Sequence, residues 1–468
     1  MLFNSLAFVL FFPLVVCIYY AIPASRLQAR RLMLLAASYY FYMNWQPIYA
    51  LLLLGSTVVT YAAAIGIGRS STASGRRRWL ATSIVLNLAV LLLFKYYNFA
   101  TSNIEWALRA AGLKLELPLM SVLLPVGISF YIFQALGYSI DVYRGTTRVE
   151  RDFVTYALFV AFFPQLVAGP IERSSRLLPQ FKRWHRFSYP LAMQGLRLMV
   201  WGYFLKLVVA DRCGIYVDAV FNNLEQHNGG SYLLASMLFP WQIYGDFAGY
   251  SLIAIGAARI MGFRLMANFR QPYLSQSVGE FWHRWHVSLS TWFKDYVYIP
   301  LGGNRAGRGR TYWNLMVTFT VSGIWHGAAW TFVCWGVLHG VLLCLERALG
   351  LSRPGHGRWR WGCWALTFTL VCAAWVLFRA NSMADAATIF AGIATDLSAP
   401  LFGRMEMAII SMSLLLVVLV DCCCEWHPHL RLQPRMRYAA THIGLALLIA
   451  YIVLFGMFDS SQFIYFQF

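Results

Sequence analysis

The stretch TYWNLMVTFTVSGIWHGAAWTFVCWGVLHGVLLCL, Thr311 to Leu345, runs for 35 residues without an Asp, Glu, Lys or Arg. Such a run belongs in a lipid bilayer, which ~20 apolar residues are enough to span. As one helix, at ~1.5 Å per residue, it would be about 52 Å long, more than one hydrocarbon core. A break is therefore expected between Gly327 and Trp330, just after His326. His326 lies in the middle of the run. A titratable imidazole there must be solvated by protein groups or by a watery cavity, so an ionisable residue at membrane depth is a candidate functional residue by default.

The rest of the chain fits this context. Of its 468 residues, 59% are hydrophobic and 12% charged, against about 25% charged in soluble domains. The mean hydropathy is +0.56. We expect one membrane-embedded domain over residues 1–468, because no soluble stretch reaches the ~100 residues of a separate domain. The formal net charge is +19, from 38 Lys and Arg against 19 Asp and Glu. On a soluble protein this would suggest nucleic acid, which is not expected here. The arginines flank apolar segments: Arg26, Arg30 and Arg31; Arg76, Arg77 and Arg78; Arg144, Arg148 and Arg151; Arg305, Arg308 and Arg310. That placement reads as cytoplasmic loops and attraction to anionic membrane lipid. The nine Cys form no CxxC pair, so neither a disulfide framework nor a zinc site is indicated. Cys422 to Cys424 read as a membrane-facing run at the end of an apolar helix. Met1 to Ala21 lacks a basic n-region and a small-residue cleavage site, and is expected to be a retained first helix.

Candidate spans are 4–22, 32–44, 47–68, 80–99, 118–141, 153–169, 191–210, 231–262 (long and open to a break), 311–330, 331–350, 361–379, 406–424 and 439–458. Allowing for short and re-entrant pieces, they amount to about eleven crossings. The basic clusters at 26–31, 76–78 and 144–151 place these loops in the cytoplasm and the N-terminus outside. If 153–169 crossed, the basic 173–186 stretch would lie outside. It is instead expected to be re-entrant, broken near Pro164 and Gly169-Pro170, as is tolerated where protein or water surrounds it. Segment 263–310 is too polar to span. It interleaves Arg264, Arg270, Arg284, Lys294 and Arg305 with Trp282, Trp285, Trp292, Tyr296 and Tyr298, the mixture found at headgroup level. Short helices on the cytoplasmic leaflet are expected there.

Three small-xxx-small patterns enclose polar residues: Gly245 to Gly249 around Asp246, Gly323 to Gly327 around His326, and Gly336 to Gly340 around His339. Glycines at this spacing let helices approach closely. Packing is the expected role of His339. Asp246 is suited to orient an imidazole or to pair with an arginine. His283 and His286, three apart, are expected to share a helix face. A metal reading of that pair lacks recognisable further ligands. His286 is the candidate for catalysis or substrate positioning, and His283 for the interface. No Gly-x-Ser-x-Gly elbow or phosphate loop is present, and Gly302-Gly-Asn-Arg305 reads as a plain turn. Two membrane histidines suit acyl transfer. A neutral imidazole accepts a hydroxyl proton and returns it to a thiolate leaving group, and a thioester supplies the activated carbonyl.

The motifs Leu124-Pro-Val-Gly-Ile-Ser-Phe-Tyr131, Tyr138-Ser-Ile-Asp-Val-Tyr-Arg144, Phe163-Pro-Gln-Leu-Val-Ala-Gly-Pro-Ile171, Asp246-Phe-Ala-Gly-Tyr-Ser251, Phe281-Trp-His-Arg-Trp-His-Val-Ser-Leu-Ser-Thr-Trp292, Asp295-Tyr-Val-Tyr-Ile-Pro-Leu-Gly-Gly-Asn-Arg305 and Trp325-His-Gly-Ala-Ala-Trp330 occur in this order. With them the chain resembles the membrane-bound O-acyltransferases, and within them the bacterial alginate-type polysaccharide O-acetyltransferases. The resemblance implies an all-α polytopic fold, with re-entrant and interfacial helices around a central funnel-like chamber and a family core over about 118–350. It implies His326 as the active-site histidine and His286 as the second. His326 then acts as a general base or as an acyl-carrying nucleophile. Asp246, Arg284, Trp285, Ser290, Lys294 and Trp325 are expected around the substrates, with Arg284 and Lys294 either on donor phosphates or anchored at the interface.

The resemblance further implies acetyl-CoA as donor, no bound cofactor or metal, an exported acetyltransferase partner, and the bacterial inner membrane. Leu301-Gly-Gly-Asn-Arg305 favours this branch over the D-alanyl-transfer proteins of teichoic acid synthesis. His283 stands where the branch has Arg or Asn, so the local pocket is expected to differ. The chain looks shorter at its C-terminal end than alginate enzymes, so cellulose or another exopolysaccharide fits as well as alginate. Rival readings are a D-alanyl or lipid transferase, a transporter whose flux survives His326→Gln, and a scaffold in which His326→Ala is silent.

Overall fold

The computed structural model describes residues 1–113, 115–120, 124–167, 169–351, 359–426 and 434–458, and among these it is helical, with no strand. The chain forms two compact units, residues 1–196 with 254–266, and residues 197–253 with 267–468.

The first unit holds α1 (Leu6–Ala21), α2 (Leu27–Met43), α3 (Tyr49–Arg69), α4 (Ala73–Leu91), α5 (Tyr97–Ala110), α6 (Ile128–Arg144), α7 (Phe153–Ala161), α8 (Phe163–Leu166) and α9 (Ser174–Phe181). The Ser5 side chain caps α1 by accepting from the Phe8 N–H, and α2 folds back from α1 by 110°. A π-helical turn, Leu92–Tyr96, joins α4 to α5, and α3, α4 and α6 pack on one another. α8 is buried throughout, and α7 is buried from Thr155 onward. The helix breaks between them at Phe162, where ψ turns to 110°. The Phe163 N–H that the break leaves outside a helix donates to Ser38 Oγ at 3.1 Å. The expected interruption of 153–169 therefore exists, just ahead of Pro164. Ala168, inside that segment, and residues 121–123, at the start of the expected 118–141 span, lie outside the described residues.

The second unit takes in the end of α10 (Tyr189–Tyr203), a π-helical segment Phe204–Ala210, α11 (Asp211–Phe221), α12 (Gly229–Ile260, as far as residue 253), α13 (Val278–Arg284), α14 (Val287–Phe293), α15 (Arg308–His326), α16 (Trp330–Ala348), α17 (Trp359–Arg379), α18 (Met383–Thr395), α19 (Arg404–Trp426) and α20 (Pro434–Phe455). The break left open for 231–262 does not occur. α12 is continuous through Pro240, whose carbonyl accepts from Tyr273 Oη at 2.7 Å. Short helices fill 263–310 as expected. The break in the uncharged run falls where expected, since α15 ends at His326 and α16 starts at Trp330.

Among the described residues, five helices are long and apolar enough to cross a membrane, or six if α1 and α2 form one bent span. The difference from about eleven crossings has a physical source. Several expected spans, 153–169 and 191–210 among them, are interrupted by breaks or π turns and do not form one long apolar helix.

α15 and α16 form an antiparallel hairpin because their backbones touch. A Cβ built at Gly323 would lie 3.0 Å from Gly336 Cα and collide with the Phe332 carbonyl oxygen. Gly323→Ala should therefore lower stability by about 1–3 kcal/mol, read as a drop in the thermal midpoint of the detergent-purified protein. Gly309→Ala in the same helix, with nothing within 4 Å, should be neutral or slightly stabilising.

Candidate active site

His326 closes α15 and is only 3% exposed. Its ring stands edge-on to Trp325 at 4.9 Å and Trp335 at 5.0 Å between centroids, and lies 5.2 Å from Phe378. Behind Phe378 is a cavity of about 440 Å³, lined among others by Asp218, Asn222, Phe332, Phe378, Arg379 and Asn381. Its rim is polar and cross-linked. Arg379 Nη2 donates to Asp218 Oδ1 at 2.6 Å and to Asn222 Oδ1 at 3.3 Å, and Asn381 Nδ2 donates to Asn222 Oδ1 at 3.1 Å. One aromatic side chain thus forms both the cavity wall and a face of the His326 pocket.

His286 does not share a helix face with His283, contrary to the sequence expectation. α13 stops at Arg284, Trp285 is extended, and His286 has φ 42° and ψ 52°, a left-handed conformation uncommon outside glycine. The cause is tertiary. Residues 268–270 run alongside and bridge the break, with Arg270 N–H donating to the Arg284 carbonyl at 3.0 Å and Val287 N–H to the Asn268 carbonyl at 2.9 Å. His283 stays exposed, its Nδ1 2.6 Å from the Gly279 carbonyl. It lines a separate cavity of about 480 Å³ with Glu280, Leu343 and Glu346. His286 is fully buried.

Around His286 lies a small polar network. Its Nδ1 faces Asn268 Oδ1 at 3.4 Å, and the same oxygen accepts from Ser288 Oγ at 2.6 Å. Asn268 Nδ2 donates to Ser251 Oγ at 3.0 Å. Since Oδ1 is an acceptor, it favours the tautomer with the proton on Nδ1 and the lone pair on Nε2. Phe247 meets the ring edge-on at 4.5 Å. Burial pushes the His286 pKa down to about 3, so the imidazole stays neutral through the physiological range. Trp325 joins the two histidines: its ring is 4.9 Å from His326 and 6.3 Å from His286.

Asp246 pairs with Lys206 Nζ at 2.7 Å. Lys206 also reaches Asp211 at 2.7 Å, is 1% exposed and lies over the Tyr250 ring at 5.7 Å. The glycines around Asp246 permit this. A Cβ at Gly249 would come within 3.1 Å of Lys206 N, and one at Gly245 within 2.8 Å of the Leu205 carbonyl.

Of the other candidates, Trp285 is buried in an aromatic cluster with Phe269, Phe281 and Trp375. Ser290 Oγ donates to the Trp285 carbonyl at 3.1 Å. Arg284 binds both Glu425 oxygens at 2.8 Å and Glu280 at 2.6 Å, so its guanidinium is already engaged. Lys294 is largely exposed, 4.0 Å from Asp295. His339 packs against Trp335 and accepts from Trp282 Nε1 at 3.3 Å, a packing role. Sequence reasoning missed Lys206, Asn268 and the cavity rim.

A family model, MBOAT, the membrane-bound O-acyltransferase family, matches residues 38–384. The chain belongs to the MBOAT family. It is accordingly an acyltransferase and a multi-pass membrane protein. Similar proteins include the "Probable alginate O-acetylase AlgI" of Pseudomonas putida, 42% identical over 83% of this chain and 79% of the relative. The protein of the same name from Pseudomonas aeruginosa is 41% identical over 82% and 73%. The "Peptidoglycan O-acetyltransferase" of Helicobacter pylori is 31% identical over 94% and 91%. In this MBOAT protein, His326, Trp325 and His286 form the buried group suited to acyl transfer.

Two outcomes follow. Lys206→Met leaves two buried carboxylates without their cation and should cost about 3–5 kcal/mol, read as a lowered thermal midpoint. The pH dependence of the rate tests the state of His286. An ordinary histidine, near 6.5, would become protonated as pH falls from 7 to 5.5, whereas His286, lowered to about 3, would not. His286→Gln should thus reduce the rate without moving the acidic limb of the pH–rate profile. A limb displaced by more than half a pH unit would contradict this.

Proposed function

We propose that the protein takes the acetyl group of acetyl-CoA at the cytoplasmic face of the bacterial inner membrane and passes it outward, through an exported acetyltransferase partner, for O-acetylation of an exopolysaccharide. The observation that carries this reading is the position of His326, one aromatic ring away from a polar-rimmed cavity at the turn of the α15–α16 hairpin. The other end of the hairpin carries Arg308, Arg310 and Arg347, a basic end that faces the cytoplasm. On this reading the cavity at the opposite end serves the acceptor. The names of the relatives, an alginate O-acetylase and a peptidoglycan O-acetyltransferase, support acetyl as the group and a polysaccharide as its destination.

The chemistry follows from an imidazole placed to accept and return a proton. The acceptor hydroxyl attacks the thioester carbonyl while His326 takes its proton. The tetrahedral intermediate collapses, the C–S bond breaks, and the thiolate leaves with the proton from His326 as the free thiol. His286, with its Nδ1 proton directed at Asn268, offers Nε2 as an acceptor and so orients a donor group, hydroxyl or thiol. Trp325 keeps the two rings apart and water out.

Thiol release from acetyl-CoA by the detergent-purified protein, with the partner present, tests the reading. His326→Ala should lower release by ~10²–10⁴-fold, and His286→Ala by a smaller ~10–100-fold. Equal release by wild type and His326→Ala removes His326 from the mechanism. Preference for a carrier-protein thioester over acetyl-CoA moves the protein to the D-alanyl class. An acetyl group trapped on His326, released by acid or hydroxylamine as an N-acylimidazole is, makes it the nucleophile instead of the base.

A further inference from the structure

Three arginines that the acyl-transfer reading does not use line one cavity in the first unit. The cavity measures about 580 Å³ and is bounded by Ile67, Ser70, Arg76, Thr147, Arg148 and Arg151 among others. It sits where α3 ends, α4 begins and α6 has just ended, three helices that pack together. α3 and the α4–α5 rod are long and apolar enough to span the bilayer, so the joint between them lies at headgroup depth, on the side that the arginine clusters mark as cytoplasmic.

The loop 145–152 sorts its charges. Its two acids are tied to cations from elsewhere: Glu150 to Lys182 at 2.6 Å, and Asp152 to Arg31 at 2.6 Å. Its two arginines, Arg148 and Arg151, face the cavity and are exposed. Tyrosines pin the loop backbone at two points, Tyr61 Oη donating to the Arg151 carbonyl at 2.6 Å and the Glu150 N–H donating to Tyr138 Oη at 2.8 Å. Arg76 comes from the first turn of α4 and is held in place. Its Nη2 donates to the Tyr143 carbonyl at 2.7 Å and its guanidinium lies 5.5 Å from the Tyr143 ring centroid. No carboxylate lines the cavity, and none of these three arginines has an ion pair among the described residues. Three guanidiniums around one space repel each other unless an anion with several acceptor oxygens sits between them, and phosphate matches the guanidinium fork in shape and charge. The N-terminus of α4 adds its own positive potential.

We propose that this cavity binds a phosphate ester, and that its occupant is the phosphodiester headgroup of an anionic phospholipid in the cytoplasmic leaflet. Depth decides for the lipid, because the cavity opens where bilayer phosphates lie. A soluble phosphate ester such as coenzyme A shares the chemistry and is the competing source.

The test is the thermal midpoint of the full-length protein in neutral-detergent micelles as phosphatidylglycerol is titrated in, beside phosphatidylcholine and beside free coenzyme A. Phosphatidylglycerol should raise the midpoint saturably, and phosphatidylcholine should not. Arg148→Gln/Arg151→Gln should raise the half-saturating mole fraction about thirtyfold. Arg77→Gln/Arg78→Gln, which removes the same charge from exposed positions outside the cavity, should change it less than about threefold. If the first double variant does not fold, the exposed single variant Arg148→Gln carries the test with an expected shift of about fivefold. Equal shifts in the two double variants mean diffuse surface charge and overturn the site, as does an unsaturable response. Saturation by coenzyme A that displaces the lipid and disappears in Arg148→Gln/Arg151→Gln keeps the phosphate site and overturns the lipid as its occupant.

Discussion

The contact between Gly323 and Gly336 sets where the chemistry of the second unit stands. Without side chains at these two points, α15 and α16 come close enough for backbone atoms to touch. Helix association in a membrane gains little from hydrophobicity and rests on such packing. The hairpin turns at once after His326, because Gly327, Ala328 and Ala329 leave the helix. Trp335 of α16 then packs edge-on with the imidazole at 5.0 Å, and Phe378 of α17 at 5.2 Å. A bulkier residue at either glycine would open the aromatic pocket along with the hairpin.

Two buried polar groups of this unit, Lys206 and His286, are each given a specific partner. Lys206 lies between Asp211 and Asp246, in a π-helical segment where the regular helical ladder is already interrupted. Such segments occur often at functional positions. His286 is held by a strained backbone and by Asn268. A network of this kind rigidifies a site only when every member is satisfied, since low dielectric raises the stakes of each hydrogen bond. The result is a neutral imidazole at a fixed angle, the form needed to accept a proton. Trp325, in contact with both histidines, ties the α13–α14 junction to the end of α15. The two histidines come from positions 40 residues apart, and this ring is what makes them one site.

The first unit applies a separation of charge at its surface. In the 145–152 loop the acids turn to cations on other segments and the arginines turn to the cavity. In the second unit the arginines are instead paired, Arg284 with Glu280 and Glu425 and Arg379 with Asp218.

The sequence alone determined the membrane setting, the helical class, the break after His326, the short helices of 263–310 and the glycine-mediated helix contacts. All of these depend on local quantities: the length of an uncharged run, the position of arginines, the spacing of small residues. It also singled out His326, because an imidazole in the middle of 35 residues without Asp, Glu, Lys or Arg is visible without a fold. Tertiary structure alone decided the partners. Lys206 and Asp246 lie 40 positions apart in the sequence. Asn268, in the polar 263–310 segment, had nothing to mark it until 268–270 ran beside the 284–287 break. The spacing of His283 and His286 gave the wrong answer for the same reason. A three-residue interval implies a shared face only if the helix continues between them, and hydrogen bonds from a distant strip of backbone stopped it at Trp285. Periodicity reports what neighbours in the chain do. Which polar groups meet in a buried site is set by packing between segments, and no local pattern records it.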